Sequence, residues 1–301
     1  MLDLITYDVF TDTPFLGNPL AIVPQADGLS TAQMQTLARE LNLSETIFVM
    51  QPDNPENTAK VRIFYPKAEI PFAGHPTIGC AIHLAGLADA QGDATVELTL
   101  EEQAGLVPVT VQKTGGRVSA ELTAPLLPTR LREINDIELT ARALGLEPGD
   151  IGNAICAAPE VWQAGPDYLL VPVASRAALA RCRPMGAAWD NLTAEADTIS
   201  AWLFTPEAAH AFRARMFSPA GGTPEDPATG SAVVSFTGLL ARQGYFAAPS
   251  ARQFQVTQGI EMGRRSDIVA RVAMQGDTLT AVKIGGSAVK ISSGQIRIPR
   301  Q

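Results

Sequence analysis

Two neighbouring carboxylates, Glu225 and Asp226, precede a segment with the features of an anion-binding helix start. Residues 214–217 have the alternation of a strand, and a loop rich in proline and glycine follows them. A helix then opens near residues 229–231, where small side chains leave its first amides uncovered. Those amides lack partners and the helix dipole is positive there, so such a terminus attracts anions. A carboxylate pair beside an anion site indicates a functional site.

An earlier stretch repeats this pattern of strand, proline-rich loop and small-residue helix start. Residues 60–86 read KVRIFYPKAEIPFAGHPTIGCAIHLAG and match the later stretch at a fixed offset of 153 residues. Four identities share this offset: Arg62 with Arg215, Phe64 with Phe217, Pro66 with Pro219, and Pro71 with Pro224. The constant offset favours an internal duplication with an unchanged loop length over chance. We therefore predict two copies of one α+β unit, with the two helix starts facing one cleft.

The composition describes a globular protein and excludes several classes of partner. The chain has 301 residues, enough for two domains, and 46% of them are hydrophobic. A net charge of −8 argues against nucleic acid or an anionic membrane as partner. No apolar run approaches the ~18 residues of a membrane span, and the N-terminus lacks the basic region of a signal peptide. Three cysteines without paired spacing fit a reducing cytosol, so we expect a cytoplasmic protein. Three scattered histidines provide no metal cluster.

The order of predicted elements divides the chain near the prolines at 125 and 128. We assign residues 1–124 to a first domain and residues 125–284 to a second. A closing hairpin is predicted from residues 268–274 and 279–284. The last predicted strand, 295–298, fits either half, so the segment 285–301 is an optional addition to the first domain.

Five segments resemble the PhzF family, the phenazine-biosynthesis-like isomerases. They read DVFTDTPFLGNPLAIV (8–23), LSETIFV (43–49), FAGHPTIG (72–79), PEDPATGSA (224–232) and QGIEMGR (258–264), and they span most of the chain. The resemblance implies the two-domain α+β fold shared with diaminopimelate epimerase and proline racemase. In that fold each domain is a β-barrel-like sheet around a central helix, and the active site lies in the cleft between the domains. It also implies a cofactor-independent isomerase of a small acid, and a homodimer.

The resemblance assigns roles to individual residues. The acid/base glutamate of the family falls on Glu45, and its supporting histidine and aspartate fall on His75 and Asp226. The amide of Gly230 would help to bind a substrate carboxylate, and the serine of the family falls on Ser231. The substrate-binding residues are then Gly74, Gly230 and Ser231.

Each candidate also has a structural interpretation. Glu45 shares a strand face with Ile47 and Val49, so desolvation should raise its pKa toward the range where it can both take and give a proton. The alternative is a solvated glutamate at a helix–strand corner. His75 could instead be a loop imidazole bonded to backbone, and Asp226 a carboxylate that stabilises a helix start. Ser231 could cap its helix. Of the other histidines, His83 reads as structural and His210 as part of a solvated helix face.

The cysteines argue against a two-thiol mechanism. Two-thiol epimerases of this fold place a cysteine at each helix start, where this chain has Gly74 or His75 and Thr229. Cys80, Cys156 and Cys182 all lie away from those junctions. A two-cysteine racemase is therefore disfavoured.

We expect an isomerase that moves a proton by acid/base chemistry on a small acid, since no metal, nucleotide or flavin motif is visible. One alternative is an epimerase or racemase that uses non-thiol bases. Another is a ligand- or protein-binding member without catalysis, because fold does not fix function. The loops at residues 14–19 and 158–165 are expected to shape the pocket, but their residue types do not name a ligand.

Overall fold

The computed structural model describes residues 1–86 and 91–300, and it confirms the α+β class. The first half contains, in order, β1 (Leu2–Val9), β2 (Asn18–Val23), α1 (Thr31–Leu41), β3 (Glu45–Met50), β4 (Ala59–Phe64), β5 (Glu69–Ile70), α2 (Gly74–Ala85), β6 (Ala94–Glu102), β7 (Gly105–Thr114) and β8 (Arg117–Thr123). The second half contains β9 (Thr129–Glu133), α3 (Ile137–Leu144), β10 (Glu160–Gln163), β11 (Asp167–Pro172), α4 (Arg176–Arg181), α5 (Gly186–Ala196), β12 (Ala201–Ala208), β13 (Ala211–Ser218), β14 (Thr223–Asp226), α6 (Gly230–Arg242), β15 (Gln253–Gln258), β16 (Ser266–Gln275) and β17 (Thr278–Ile296).

One buried helix forms the centre of each half. In α2 every residue from Gly74 to Ile82 is buried, and in α6 every residue from Gly230 to Leu240 is buried. Helices that are small and apolar on all sides have no solvent-facing stripe, so strands can surround them. Strands β1–β3 and β6–β8 pack around α2, and β9–β11, β16 and β17 pack around α6. Each half is therefore a barrel-like sheet wrapped around one helix.

The long strand β17 joins the two halves. Its first part pairs with β16 as the predicted closing hairpin, its middle pairs with β8, and residues 288–296 pair antiparallel with β1. The expected separate strand at residues 295–298 is thus the end of this 19-residue strand. Because all the strands of the described chain form one connected sheet, the proposed division at residue 125 stays a prediction.

The duplicated unit is visible, but its loops differ in length. In the first half Arg62 forms a bidentate pair with Glu69, at 2.7 and 2.6 Å. In the second half Arg215 pairs in the same way with Glu225, at 2.8 and 2.9 Å. The arginines are 153 residues apart and the glutamates 156, so the second loop is three residues longer. The prediction of an unchanged loop length was wrong. Glu225 is also a structural partner of arginine, and not one of two free carboxylates.

His210 lies in the turn between β12 and β13 with a positive φ of 57°, and its ring Nδ1 is 3.2 Å from the hydroxyl of Tyr245. Its placement on a helix face was therefore wrong.

Among the described residues, no helix is long and apolar enough to cross a membrane.

A buried carboxyl group supports the first turn of α2. The Thr77 hydroxyl lies 2.7 Å from the Ala73 carbonyl and 2.5 Å from Oε1 of Glu102. A hydroxyl has one proton and a carbonyl can only accept. When Thr77 donates to Ala73, the bond to Glu102 therefore needs a proton on the carboxyl group. Burial raises the pKa of Glu102 to about 8, with the Thr77 bond opposing, which agrees with a neutral carboxyl group.

This arrangement predicts that Glu102→Gln stabilises the protein at alkaline pH. The unfolded chain loses the Glu102 proton near its ordinary pKa, while the folded chain keeps it up to about pH 8. The contribution of Glu102 to the free energy of unfolding is therefore full at low pH. It falls as pH rises between the two pKa values, by at most about 1.4 kcal/mol per pH unit. The amide of Gln can donate to Thr77 at any pH.

Urea unfolding at pH 5, 6, 7 and 8 measures this difference. The variant should match wild type near pH 5 and become progressively more stable above it. Glu97→Gln, on the exposed side of the same strand, controls for the loss of one charge. Parallel stability curves for wild type and Glu102→Gln would contradict the assignment.

Candidate active site

The N-termini of the two central helices meet at one cavity. Gly74 begins α2 and Gly230 begins α6, and both line a cavity of about 270 Å³ between the halves. A Cβ added to Gly74 would lie 2.9 Å from the Cα of Gly230, and one added to Gly230 would lie 3.1 Å from the Cα of Gly74. Neither position has room for a side chain. Two positive helix ends therefore face one space, which favours a bound anion.

Glu45 and His75 form the first polar pair of this cavity. Glu45 opens β3 and its side chain is 18% exposed, and its Oε2 lies 3.1 Å from Nδ1 of the buried His75. Burial lowers the pKa of His75 to about 3, so the imidazole is neutral at physiological pH. Burial, and then the charge of Asp226, hold the pKa of Glu45 well above its usual range. A carboxyl group of this kind can carry a proton near neutral pH and also release it.

Asp226 ends β14 and is held by three hydrogen-bond donors. Its Oδ1 accepts from the Ser44 hydroxyl at 2.8 Å and from Nδ2 of Asn18 at 2.9 Å. Its Oδ2 accepts from the Thr229 hydroxyl at 2.6 Å. Burial raises the pKa of Asp226, and these donors oppose that rise. Asp226 is therefore the better stabilised of the two carboxylates, and its charge adds to burial in raising the pKa of Glu45.

Two buried amide side chains support the site from behind, and one of them, Asn18, joins the two halves. Asn18 belongs to the first half, and its Nδ2 donates to the carbonyl of Ala228 as well as to Asp226. Gln258 donates to the backbone carbonyl of Asp226 and to the Thr229 hydroxyl, at 2.8 and 2.9 Å. Both residues are fully buried. They fix Asp226 relative to the start of α6.

Ser231 is the second residue of α6, and its hydroxyl lies 2.7 Å from the hydroxyl of Tyr168. Both residues line the cavity. All six residues that the family resemblance selects are thus at one place: Glu45, Gly74, His75, Asp226, Gly230 and Ser231.

The sequence interpretation missed several polar residues of the site, and the two loops that it named do not line the cavity, although Asn18 of the first loop supports Asp226. Asn18, Ser44, Thr229 and Gln258 all stand within the five family-like segments, so those segments contained a signal that was not used. Neither loop 14–19 nor loop 158–165 lines the cavity. The residues just after the second loop, 166–168, do so instead.

The lining of the cavity limits its chemistry. None of the described residues that line it is lysine or arginine, so an anionic group there is held by backbone amides and hydroxyls. The described residues include no group of three or more His, Cys, Asp or Glu side chains placed to hold a metal ion. The arrangement can bind a small acid at the helix ends and exchange a proton with it through Glu45.

Comparison with known proteins places this arrangement in a family. The sequence model of the family described as phenazine biosynthesis-like protein, PhzC–PhzF, matches residues 7–294. The chain belongs to this family. An uncharacterized isomerase of Mesorhizobium japonicum is 42% identical, with 98% of each chain covered. Trans-2,3-dihydro-3-hydroxyanthranilate isomerase of Pseudomonas chlororaphis is 37% identical, covering 97% of this chain and 98% of the relative.

A solved structure shares the fold. The crystal structure of the Bacillus anthracis phenazine biosynthesis protein of the PhzF family superposes with a TM-score of 0.83. The two chains are 24% identical, and the match covers 99% of each. The expected PhzF fold, with two barrel-like halves, is therefore confirmed.

The surroundings of the cysteines predict that no thiol takes part in the chemistry. Cys80 and Cys182 are buried, and Cys156 is half-buried. Burial raises the pKa of all three thiols, to about 12 for Cys156 and Cys182. None of the three lines the cavity. A catalytic thiolate needs an accessible, electropositive site with a lowered pKa.

Replacement of Cys80 and Cys182 by Ala, together with Cys156 by Ser, tests this. Activity should stay within about twofold of wild type, while stability falls by about 1–3 kcal/mol from lost core packing. Loss of activity in a variant that keeps its circular dichroism spectrum would restore a thiol mechanism.

Proposed function

We propose that this protein is an isomerase that transfers a proton between two carbons of a small conjugated acid, with Glu45 as the proton carrier. The observation that carries this proposal is the contact between Glu45 and His75, beside the charged Asp226, at a cavity between two helix N-termini. The isomerase class is supported by the names of the relatives.

The proposed mechanism assigns a separate task to each group. The substrate carboxylate binds at the amides of Gly230 and Ser231, where the helix end is positive. Removal of a proton from a conjugated carbon spreads negative charge toward that carboxylate, and the amides stabilise the charge. Glu45 takes the proton and returns it at another carbon. Neutral His75 contacts Glu45 and holds it in place.

The substrate we propose is a small cyclic acid similar to trans-2,3-dihydro-3-hydroxyanthranilate. The relative from Pseudomonas chlororaphis is named for that compound, and it is alike over nearly its whole length. A cavity of about 270 Å³ suits a single-ring acid. The absence of lysine and arginine from the described lining fits a substrate with one carboxylate.

Two other functions remain as alternatives to this proposal. An epimerase or racemase with non-thiol bases would return the proton to the same carbon. A binding protein without catalysis would have no need for a carboxyl group with a raised pKa beside a neutral imidazole. The Glu45–His75 contact favours catalysis over binding alone.

The Glu45→Gln variant should lose isomerase activity by ~10²–10⁴-fold or more, because general acid–base groups contribute about that much. Gln keeps the size of the side chain but cannot accept the proton, so binding of substrate should change little. The measurement is turnover of trans-2,3-dihydro-3-hydroxyanthranilate in heavy water, with deuterium in the product read by mass spectrometry.

The control is Glu40→Gln, at an exposed position of α1, with circular dichroism as the test of folding. Deuterium at a new carbon identifies an isomerase, and deuterium at the original carbon identifies an epimerase. Near-normal exchange in Glu45→Gln would move the acid/base role to another residue, with His75 and Asp226 the next to test.

A further inference from the structure

A buried pair of hydroxyl groups at the start of α6 includes one residue that has no role in the mechanism above. Tyr168 lies on β11 and is 5% exposed, and Ser231 is 4% exposed. Their hydroxyl oxygens are 2.7 Å apart, and both side chains line the cavity of about 270 Å³. Glu45 lines the same cavity, so the pair shares this space with the proposed proton carrier.

Counting protons shows that this pair has one donor to spare. Two hydroxyls bring two protons, and their mutual hydrogen bond uses one of them. Within residues 1–86 and 91–300, neither oxygen makes a hydrogen bond to a further partner. The remaining proton therefore faces the cavity or is unused.

Chemistry decides which group donates within the pair. A phenol is far more acidic than an aliphatic hydroxyl, so it is the better donor, and the serine oxygen is the better acceptor. Burial, with nearby carboxylates, raises the pKa of Tyr168 above its ordinary value, so the phenol keeps its proton at physiological pH. Tyr168 then donates to Ser231. The proton of Ser231 is left to point into the cavity, beside its own backbone amide.

We propose that Tyr168 is a positioning residue that orients the Ser231 hydroxyl to donate to the carboxylate of the bound acid. This inference deepens the proposed function, because it rests on an acid being held at the start of α6. Without lysine or arginine in the described lining, a fixed hydroxyl is a substantial part of the anion site. With Tyr168 absent, Ser231 would rotate freely, and its hydrogen bond to the ligand would be weakened.

The test is a double-mutant cycle of Tyr168→Phe and Ser231→Ala, with anthranilate as the probe in isothermal titration calorimetry. Each single variant should raise Kd by about tenfold, since a hydrogen bond to a charged group is lost or weakened. The double variant should be no weaker than Ser231→Ala alone, because Tyr168 acts only through Ser231. In turnover assays Tyr168→Phe should raise KM to a similar extent and leave kcat within about threefold.

Two matched controls separate this role from a structural one. Anthranilamide has no carboxylate, so its binding should be insensitive to Tyr168→Phe. Tyr245→Phe removes another tyrosine hydroxyl that contacts a polar partner, His210, away from the cavity, and it should leave anthranilate binding unchanged. Additive losses in the double variant, an equal loss for anthranilamide, or no binding of anthranilate to wild type would each overturn the proposal.

The calorimetric measurement of anthranilate binding does not depend on catalysis. Tight anthranilate binding with the expected cycle, but no proton exchange by wild type, would contradict the isomerase proposal and keep the role of Tyr168. Normal proton exchange that depends on Glu45, together with an unchanged Kd for anthranilate in Tyr168→Phe, would support the isomerase proposal and contradict the role of Tyr168.

Discussion

The direct contact between the starts of the two central helices is the constraint on which the site depends. Gly74 and Gly230 approach so closely that neither can carry a Cβ. The positive ends of two buried helices are thereby directed at one small space. Two carboxyl groups, Glu45 and Asp226, lie beside that space and away from bulk water, where burial alone would disfavour their charged forms. The helix ends and the hydroxyl and amide donors offset part of that cost.

The two carboxyl groups differ because their hydrogen-bond donors differ. Asp226 accepts from Ser44, Asn18 and Thr229, so its charge is stabilised. Oε2 of Glu45 is buried without a hydrogen-bond donor in the described structure, and it faces a neutral imidazole. The same burial therefore acts on the two groups to different degrees, because the donors around Asp226 oppose the rise of its pKa and Oε2 of Glu45 has no such donor. Environments that move the pKa values of two nearby acids apart are typical of acid/base catalysis.

The duplication preserved the scaffold and changed the residues of the cleft. Both halves keep an arginine, a phenylalanine beneath its guanidinium group and a paired glutamate. The register of the strands places Ser200 where the first half has Glu45, since Thr46 pairs with Phe64 and Ala201 pairs with Phe217. The second residue of the central helix is likewise His75 in one half and Ser231 in the other. This asymmetry of the cleft agrees with the proposal that one residue both removes and returns the proton.

Much of this protein could be predicted from the sequence, because short-range patterns determine it. Small and apolar residues on all sides of α2 and α6 require burial, and the family-like segments contain most of the polar residues of the site. Features that depend on contacts between distant residues could not be predicted. Tyr168 stands outside every recognised segment, yet it lines the cavity and contacts Ser231, 63 residues away. The longer loop of the second copy, hidden by the chance agreement of Pro71 with Pro224, became visible only through the pairing of Arg215 with Glu225. Likewise the proton on Glu102 depends on Thr77, which lies on another element. A sequence records which side chains are available, whereas burial and hydrogen-bond partners, which decide their charge, arise only when distant segments pack together.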